Sequence, residues 1–273
     1  MALRCESAQP RKHPTTLKPV RPNAGVEIAY YKALMALIDE MDASLTYWLK
    51  INYRKHEAAI AQDSVADELQ KVMNRLTARW RSLFDDRARK MAETQAGKWQ
   101  KGADTSLMSK LKQAGFAVKF RPSKAVTDVL DGVINENVGL IKSIAEQHLS
   151  DVSAMVQRSV LAGRDLSTLT TELQDRYGIT KRRAAFIARD QNNKATSFIT
   201  RRRQIDLGLT EAIWCHSSAG KHPRPNHVKA GRERLRYDIR KGADVDGDGK
   251  LIFPGEEPNC RCTSRVIVSG FDD

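Results

Sequence analysis

The sequence predicts a mainly α protein: an elongated helical body followed by a small α+β C-terminal module. Two patterns and one composition figure lead there. Apolar residues recur at spacings of three and four through most of the chain up to about residue 208. Beyond Gly208, glycine, proline and charge replace that rhythm, broken only by short apolar runs. Aromatic residues make up only 6% of 273 residues, which favours helix packing over an aromatic-rich β-sandwich.

Taken in order, residues 1–25 read as a flexible basic arm, because Pro10, Pro14, Pro19 and Pro22 come too often for a helix. Residues 26–125 form an N-terminal helical region. Its first helix carries Ile28, Tyr31, Met35, Ile38, Met41, Leu45 and Trp48 in register, and its second carries Val65, Leu69, Val72, Leu76, Trp80, Phe84, Ala88 and Met91. Gly97 and Gly102 mark the expected end of the second helix, with a short helix and a turn over 107–120. Residues 126–208 continue helical. Ser123 is the candidate N-cap, Gly132 and Gly139 are points of weakness, and Gly163 is a C-cap. A short helix opened by Asp165 or Ser167 and closed by Tyr177-Gly178 then gives way to a longer one capped by Thr180. Residues 209–273 form the α+β module. Strands are expected over Glu211–Cys215 and Val266–Val268, the second pairing with Ile213–Trp214, and a helix or turn around Glu233–Ile239.

No apolar run approaches the roughly 18–20 residues of a membrane span, so no membrane partner is expected. The opening Met-Ala-Leu-Arg-Cys lacks the apolar stretch of a secretory signal, and four cysteines do not make a disulfide scaffold. The reading is a soluble, basic protein made inside the cell.

The formal charge is +13, and it is concentrated. Residues 181–240 hold 15 basic and 5 acidic residues, whereas residues 241–273 hold 4 and 7. Such a block attracts polyanions, and non-specific double-stranded DNA is the candidate partner. Lys181, Arg182, Arg183, Arg201, Arg202 and Arg203 are the contact residues expected. Aromatic residues between the basic clusters are too few for a base-stacking platform.

Thiols and imidazoles crowd the C-terminal module. Cys215, His216, His222 and His227 precede a loop that ends in Cys260 and Cys262. Thiolate with imidazole suits a structural zinc, with His227, Cys260 and Cys262 as candidate ligands. The Cys-x-Cys spacing equally allows a strand in which the two cysteines alternate and His227 is held by hydrogen bonds. A Cys215–Cys260 disulfide is disfavoured in a reducing cytoplasm. Asp244, Asp246 and Asp248 open like a calcium loop, but the twelfth position is Gly255 where a bidentate glutamate is needed, so the segment reads as an acidic turn. No nucleophile with an orienting partner and no general base stand out, and nothing singles out Glu256 or Glu257. The chain reads as a non-enzyme.

Several short motifs stand in order: Asn137–Ile144, Arg183–Gln191, Trp214–Ser218, Arg224–His227, Gly231 and Pro254–Cys262. Together they resemble the phage Mu F-like minor head proteins, or phage head morphogenesis proteins, over about residues 130–268. The resemblance implies a minor capsid protein of a tailed phage or prophage, acting structurally in procapsid assembly. Its implied partners are the portal protein and the major capsid or scaffolding protein. It also implies residence inside the virion head near the portal vertex, and in the host cytoplasm during assembly. Carried over residue by residue, it marks Trp214, Arg224, His227, Gly231, Cys260, Arg261 and Cys262 as a structural motif. The family usually carries an Asp shortly after the Trp; here the stretch is Ser217-Ser-Ala-Gly-Lys221, which removes a support for catalysis.

Two other readings compete. One is a zinc-dependent nuclease or DNA-processing enzyme built on the His/Cys cluster. The other is a DNA-binding regulator that uses a helix starting at Thr180, against which the long helical body counts.

Overall fold

The computed structural model describes residues 4–5, 15–55, 63–163, 166–218, 220 and 222–268. Its elements, in chain order, are β1 (Arg4–Cys5), β2 (Thr15–Thr16), α1 (Ala24–Lys55), α2 (Asp63–Gln113), β3 (Phe116–Ala117), α3 (Lys124–Leu161), α4 (Leu166–Asp206), β4 (Glu211–Cys215), α5 (Pro225–Arg232), β5 (Arg236–Asp238), β6 (Ala243–Asp244), β7 (Leu251–Ile252) and β8 (Thr263–Val268). The fold is mainly α with a small α+β end, as the periodicity predicts. No helix among the described residues is long and apolar enough to cross a membrane.

The chain forms two compact units. One comprises Ile28–Thr94 and Ile134–Ala188; the other comprises Met1–Glu27, Gln95–Val133 and Arg189–Asp273.

The first unit is built from four helical segments. Tyr30 donates its hydroxyl hydrogen to Asn137 Oδ1, and Tyr53 meets the Ser159 hydroxyl, so α1 and α3 run side by side in the same direction. Pairs Gln157–Gln70 and Lys142–Asp85 set α2 antiparallel to α3, and His148–Thr180 with Arg183–Ser143 do the same for α4. The result is up-down-up-down packing about a common core. The buried stripe of α1 is Tyr30, Leu34, Leu37, Ile38, Met41, Leu45, Leu49 and Tyr53. Ile28 and Trp48, expected on that stripe, are 53% and 43% exposed. The face is rotated because Tyr30 and Tyr53 bury their rings and still find polar partners for their hydroxyls.

Several helix ends predicted at glycines do not occur. α2 runs through Gly97 and Gly102 to Gln113, and α3 runs through Gly132 and Gly139. Nothing lies within 4 Å of a side chain built at any of these four. Each therefore costs only the helix propensity of about 1 kcal/mol. In α2 the buried series Ala92, Ala96, Trp99, Ala103, Leu107 and Leu111 continues past both glycines and holds the helix. α4 is likewise unbroken at Tyr177-Gly178. Thr180 lies inside it, its hydroxyl bonded to the Arg176 carbonyl and to His148 Nδ1. α4 begins at Leu166, so Ser167 lies inside it and does not open it, and Asp165 lies outside the described residues. Other signals match: the Ser123 carbonyl accepts the Val126 and Thr127 N–H groups at the start of α3, and Gly163 follows α3 with φ of 58°.

The second unit holds an antiparallel sheet in the order β2-β8-β4-β5. Ala212 pairs with Val266, Ile213 with Arg265, Trp214 with Ser264 and Cys215 with Thr263. Part of the expected arm belongs here. Thr15 and Thr16 pair with Val268 and Ile267, Leu17 and Val20 are buried, and Asn23 caps α1 by accepting the Gly25 and Val26 N–H groups. Residues 1–3 and 6–14 of the arm lie outside the described residues. Burying Leu17 and Val20 outweighs the turn-forming tendency of the surrounding prolines. The core of this unit joins Leu107, Leu111 and Phe116 to Ala212, Trp214, Tyr237, Ile252, Cys260, Cys262 and Val266. The helix or turn expected around Glu233–Ile239 is turn at 233–234 and again from Ile239, while the helix itself occupies Pro225–Arg232, with Pro225 in its first turn, where a missing N–H costs nothing. Residues Arg236–Asp238 are strand β5.

Candidate metal centre and arginine-lined cleft

α5 places His227 in the first turn of a short helix and buries it to 3% exposure. The loop from Pro254 to Cys262 approaches it under the control of α4. Ser197 Oγ donates to the Pro254 carbonyl, next to Gly255, whose φ of 85° reverses the chain. Glu256 tightens the turn by accepting the Phe253 N–H. The Asp190 carboxylate accepts the Asn259 N–H, Arg189 Nε donates to Asn259 Oδ1 at 3.2 Å, and Asn193 donates to the Cys260 carbonyl. Held at these points, Cys260 and Cys262 lie before β8 in irregular chain, not alternating in a strand. Both turn inward, with exposures of 4% and 6%.

Their sulfurs converge on one imidazole nitrogen. His227 Nδ1 is 3.6 Å from Cys260 Sγ and 3.7 Å from Cys262 Sγ, and the three donor atoms all lie within 4.8 Å of one another. On the other side of the ring, Nε2 faces Glu257 Oε2 at 3.2 Å, outside the angular range of a well-formed hydrogen bond. Arg224 steadies that carboxylate, with Nε 3.1 Å from Oε2 and Nη2 donating to the Pro258 carbonyl at 3.0 Å. The Trp214 ring stands edge-on to the imidazole at 5.2 Å and 85°. A hydrogen bond between the two thiols pulls the Cys260 pKa down, helped by His227, and pushes the Cys262 pKa up, as burial also does. The pair therefore favours one thiolate and one thiol. His227, Cys260 and Cys262 form the one group among the described residues with three donors close enough to hold a metal ion.

The loop after β4 and α5 pack closely at Gly231. A Cβ there would stand 2.5 Å from His216 Cβ and 2.9 Å from the His216 backbone nitrogen. Only glycine fits without displacement.

Two cavities adjoin the centre. One of about 650 Å³ is lined by His216, His222, Arg224, His227, Cys260, Arg261 and Cys262. The other, of about 1110 Å³, lies on the sheet face opposite the core. Side chains alternate across a strand, so Ile213 and Cys215 share that face with their partners Arg265 and Thr263, while Ala212, Trp214 and Val266 point into the core. This cleft collects Arg21, Arg189, Arg232, Arg234, Arg261 and Arg265, with Glu27 its one lining carboxylate.

Of the residues singled out in the sequence, Trp214, His227, Cys260 and Cys262 come together; Arg224 joins them through Glu257; Gly231 sets the packing; and Arg261 lines both cavities. The basic set divides. Lys181, Arg182 and Arg183 are exposed, and Arg183 reaches the Ser143 hydroxyl. Arg203 is not available to nucleic acid: it is 5% exposed and makes a bidentate pair with Asp104 and a bond to the Arg121 carbonyl. Arg202 is paired with Asp206, and Arg201 lies 3.6 Å over the Phe253 ring. These three arginines hold structure together, because the helix turns them toward carboxylates and a ring.

The acidic turn closes on itself. Asp244 accepts the Gly247 and Gly249 N–H groups, Asp248 accepts that of Lys250, and Asp246 accepts the Asn226 amide. The three carboxylates do not converge.

Glu257, Asp190, Asn193 and Ser197 were not singled out by sequence reasoning. Asp190 lies within the Arg183–Gln191 motif, and Glu257 within Pro254–Cys262, so the motifs themselves were the signal.

Residues 150–265 match the family model described as Phage Mu protein F like protein. This matched region contains α4, β4, α5 and the 254–262 loop, so the resemblance read from the motifs is shown there. The chain is also similar to an uncharacterized protein of Haemophilus influenzae (strain ATCC 51907 / DSM 11121 / KW20 / Rd), 29% identical over 148 residues, which are 54% of this chain and 31% of that protein. The chain thus spans about a third of the length of the curated relative it matches. No solved structure matches the chain.

Proposed function

We propose, from a Mu F-like region over residues 150–265, that this chain is a head morphogenesis protein of a tailed phage or prophage. It is a minor capsid component that acts structurally in procapsid assembly near the portal, with the portal and the major capsid or scaffolding protein as partners. It sits in the host cytoplasm during assembly and afterwards inside the head. The observation that carries this reading is the coincidence of the matched region with the braced module: Asp190, Asn193 and Ser197 clamp the loop that presents Cys260 and Cys262. Mass spectrometry of purified procapsids and virions tests it. The chain is expected in both, in few copies per particle, and consistent absence from both would overturn the proposal.

The finer part is contact with packaged DNA. The arginine-lined cleft, rather than Arg201–Arg203, supplies the surface. Six guanidinium groups around one carboxylate suit phosphates, which they can contact bidentately without reading sequence. Binding is expected to be sequence-independent and to weaken steeply between about 50 and 200 mM salt. Affinity indifferent to salt would remove this part and leave the assembly role standing.

One observation favours the enzymatic alternative, a zinc-dependent nuclease: the 650 Å³ cavity that opens in front of the His–Cys cluster. Plasmid nicking that disappears in His227→Ala would replace the structural reading.

A further inference from the structure

We propose that His227 Nδ1, Cys260 Sγ and Cys262 Sγ bind a zinc ion whose fourth ligand is a solvent molecule from the adjoining cavity.

The spacing of the donors is the first argument. With Zn–S near 2.3 Å and Zn–N near 2.0–2.1 Å, a tetrahedral angle separates sulfur from nitrogen by about 3.6 Å. The two separations here are 3.6 and 3.7 Å. A neutral imidazole–thiol hydrogen bond explains one such approach, but not two sulfurs on the same ring nitrogen, which offers a single lone pair or a single hydrogen.

Orientation is the second argument. Glu257 faces Nε2 at 3.2 Å, and with the hydrogen on that nitrogen the Nδ1 lone pair is directed at the sulfurs. A carboxylate on the far nitrogen is the usual outer partner of a metal-bound histidine; it fixes the ring and raises its basicity. Arg224 in turn holds Glu257, and α4 holds the cysteine loop through Asp190 and Asn193. The donors are thus set by contacts that do not depend on the ion.

Charge is the third. Zinc entering the site displaces the remaining thiol hydrogen as a proton to solvent, leaving two thiolates, one neutral imidazole and a dication. That assembly has no net charge, which is what a site of 3–6% exposure tolerates. Sulfur and nitrogen donors at tetrahedral spacing select zinc over the oxygen-seeking magnesium and calcium. Among the described residues no fourth donor joins the cluster, and the cavity of about 650 Å³ reaches all three ligands, so solvent completes the shell.

The test uses the full chain, stripped of metal by a chelator under reducing conditions and titrated with zinc against a chromophoric competitor. One zinc per chain is expected, and X-ray absorption should show two sulfur and two nitrogen or oxygen neighbours. Cobalt(II) in place of zinc should give thiolate-to-metal charge-transfer absorption. Glu257→Gln, which leaves all three ligands and should preserve the circular dichroism spectrum, is expected to weaken zinc about 10–100-fold. Cys262→Ser should weaken it further. Stoichiometry well below one, a sulfur count other than two, or unchanged affinity in Cys262→Ser would overturn the proposal. It stands or falls independently of whether the chain is found in phage heads.

Discussion

His148 Nε2 lies 3.7 Å from Asp42 Oδ1, beyond hydrogen-bond reach, while its Nδ1 meets the Thr180 hydroxyl at 2.9 Å. Burial, and then Arg176, pulls the His148 pKa from 6.5 to about 4; burial, and then Asp39, pushes Asp42 from 3.8 to about 6. The two shifts act oppositely on stability. Between about 4 and 6.5 the unfolded chain binds more protons at His148, so that group weakens the fold as pH falls. Between 3.8 and about 6 the folded chain binds more at Asp42, so that group strengthens the fold as pH falls. The pair is expected to be nearly neutral over the shared window. In Asp42→Asn the His148 contribution stands alone, and stability relative to wild type should drop as pH falls from about 6 to 3.8. In His148→Gln the difference should run the other way. Urea midpoints measured across pH decide it; variant curves parallel to wild type would refute the coupling.

The Arg203–Asp104 pair is the next test. Its side chains are 6% and 18% exposed, and both nitrogen–oxygen bonds are 2.8 Å. Asp104→Ala leaves a guanidinium buried without its carboxylate and is expected to cost about 3–5 kcal/mol. Urea unfolding measures this. A loss below 1 kcal/mol would mean that the arginine swings out to solvent, which would return it to the set available for DNA.

Gly231→Ala tests the seat of α5. The added methyl group meets the His216 backbone nitrogen at 2.9 Å, so main chain must move. A loss of about 1–3 kcal/mol is expected, typical of overpacking. Thermal melting reads it, and an unchanged midpoint would show that α5 has room to shift.

In the cleft, Arg21→Ala and Arg234→Ala should each reduce the salt slope of DNA binding by about 0.9 if the residue contacts one phosphate. Both side chains are exposed within the cleft. Arg202→Ala should leave the slope unchanged, because Arg202 is paired with Asp206. Filter binding or fluorescence anisotropy at several salt concentrations distinguishes these outcomes.

The helices and the central strand pair were legible because periodicity is local: β4 and β8 are five- and six-residue strands, and each shows as a short apolar run in a polar neighbourhood. Helix ends were less legible. Glycine signals a stop, but in α2 and α3 the apolar stripe on the far side of each glycine outweighs its propensity. The approach of His227 to Cys260 and Cys262 could be suspected from residue type; its geometry could not, because it depends on α4 contacts about 70 residues away. The cleft was hidden for the same reason. Arg21, Arg189 and Arg265 are distant in sequence and become neighbours only through sheet register and the return of the N-terminal segment. Charge density pointed to Arg201–Arg203, where charge is densest, but helix phase turns those side chains toward Asp104, Asp206 and Phe253.

The pairing of Thr15 and Thr16 with Val268 and Ile267 makes β8, near the far end of the described chain, the inner neighbour of β2. During synthesis the early strand has no ladder to join until β8 leaves the ribosome. This unit therefore closes only once residue 268 has emerged, whereas the helices of the other can pair as they appear. A nascent chain halted before residue 263 would carry Leu17 and Val20 uncovered, a handle by which chaperones could tell a copy without β8 from one that has it.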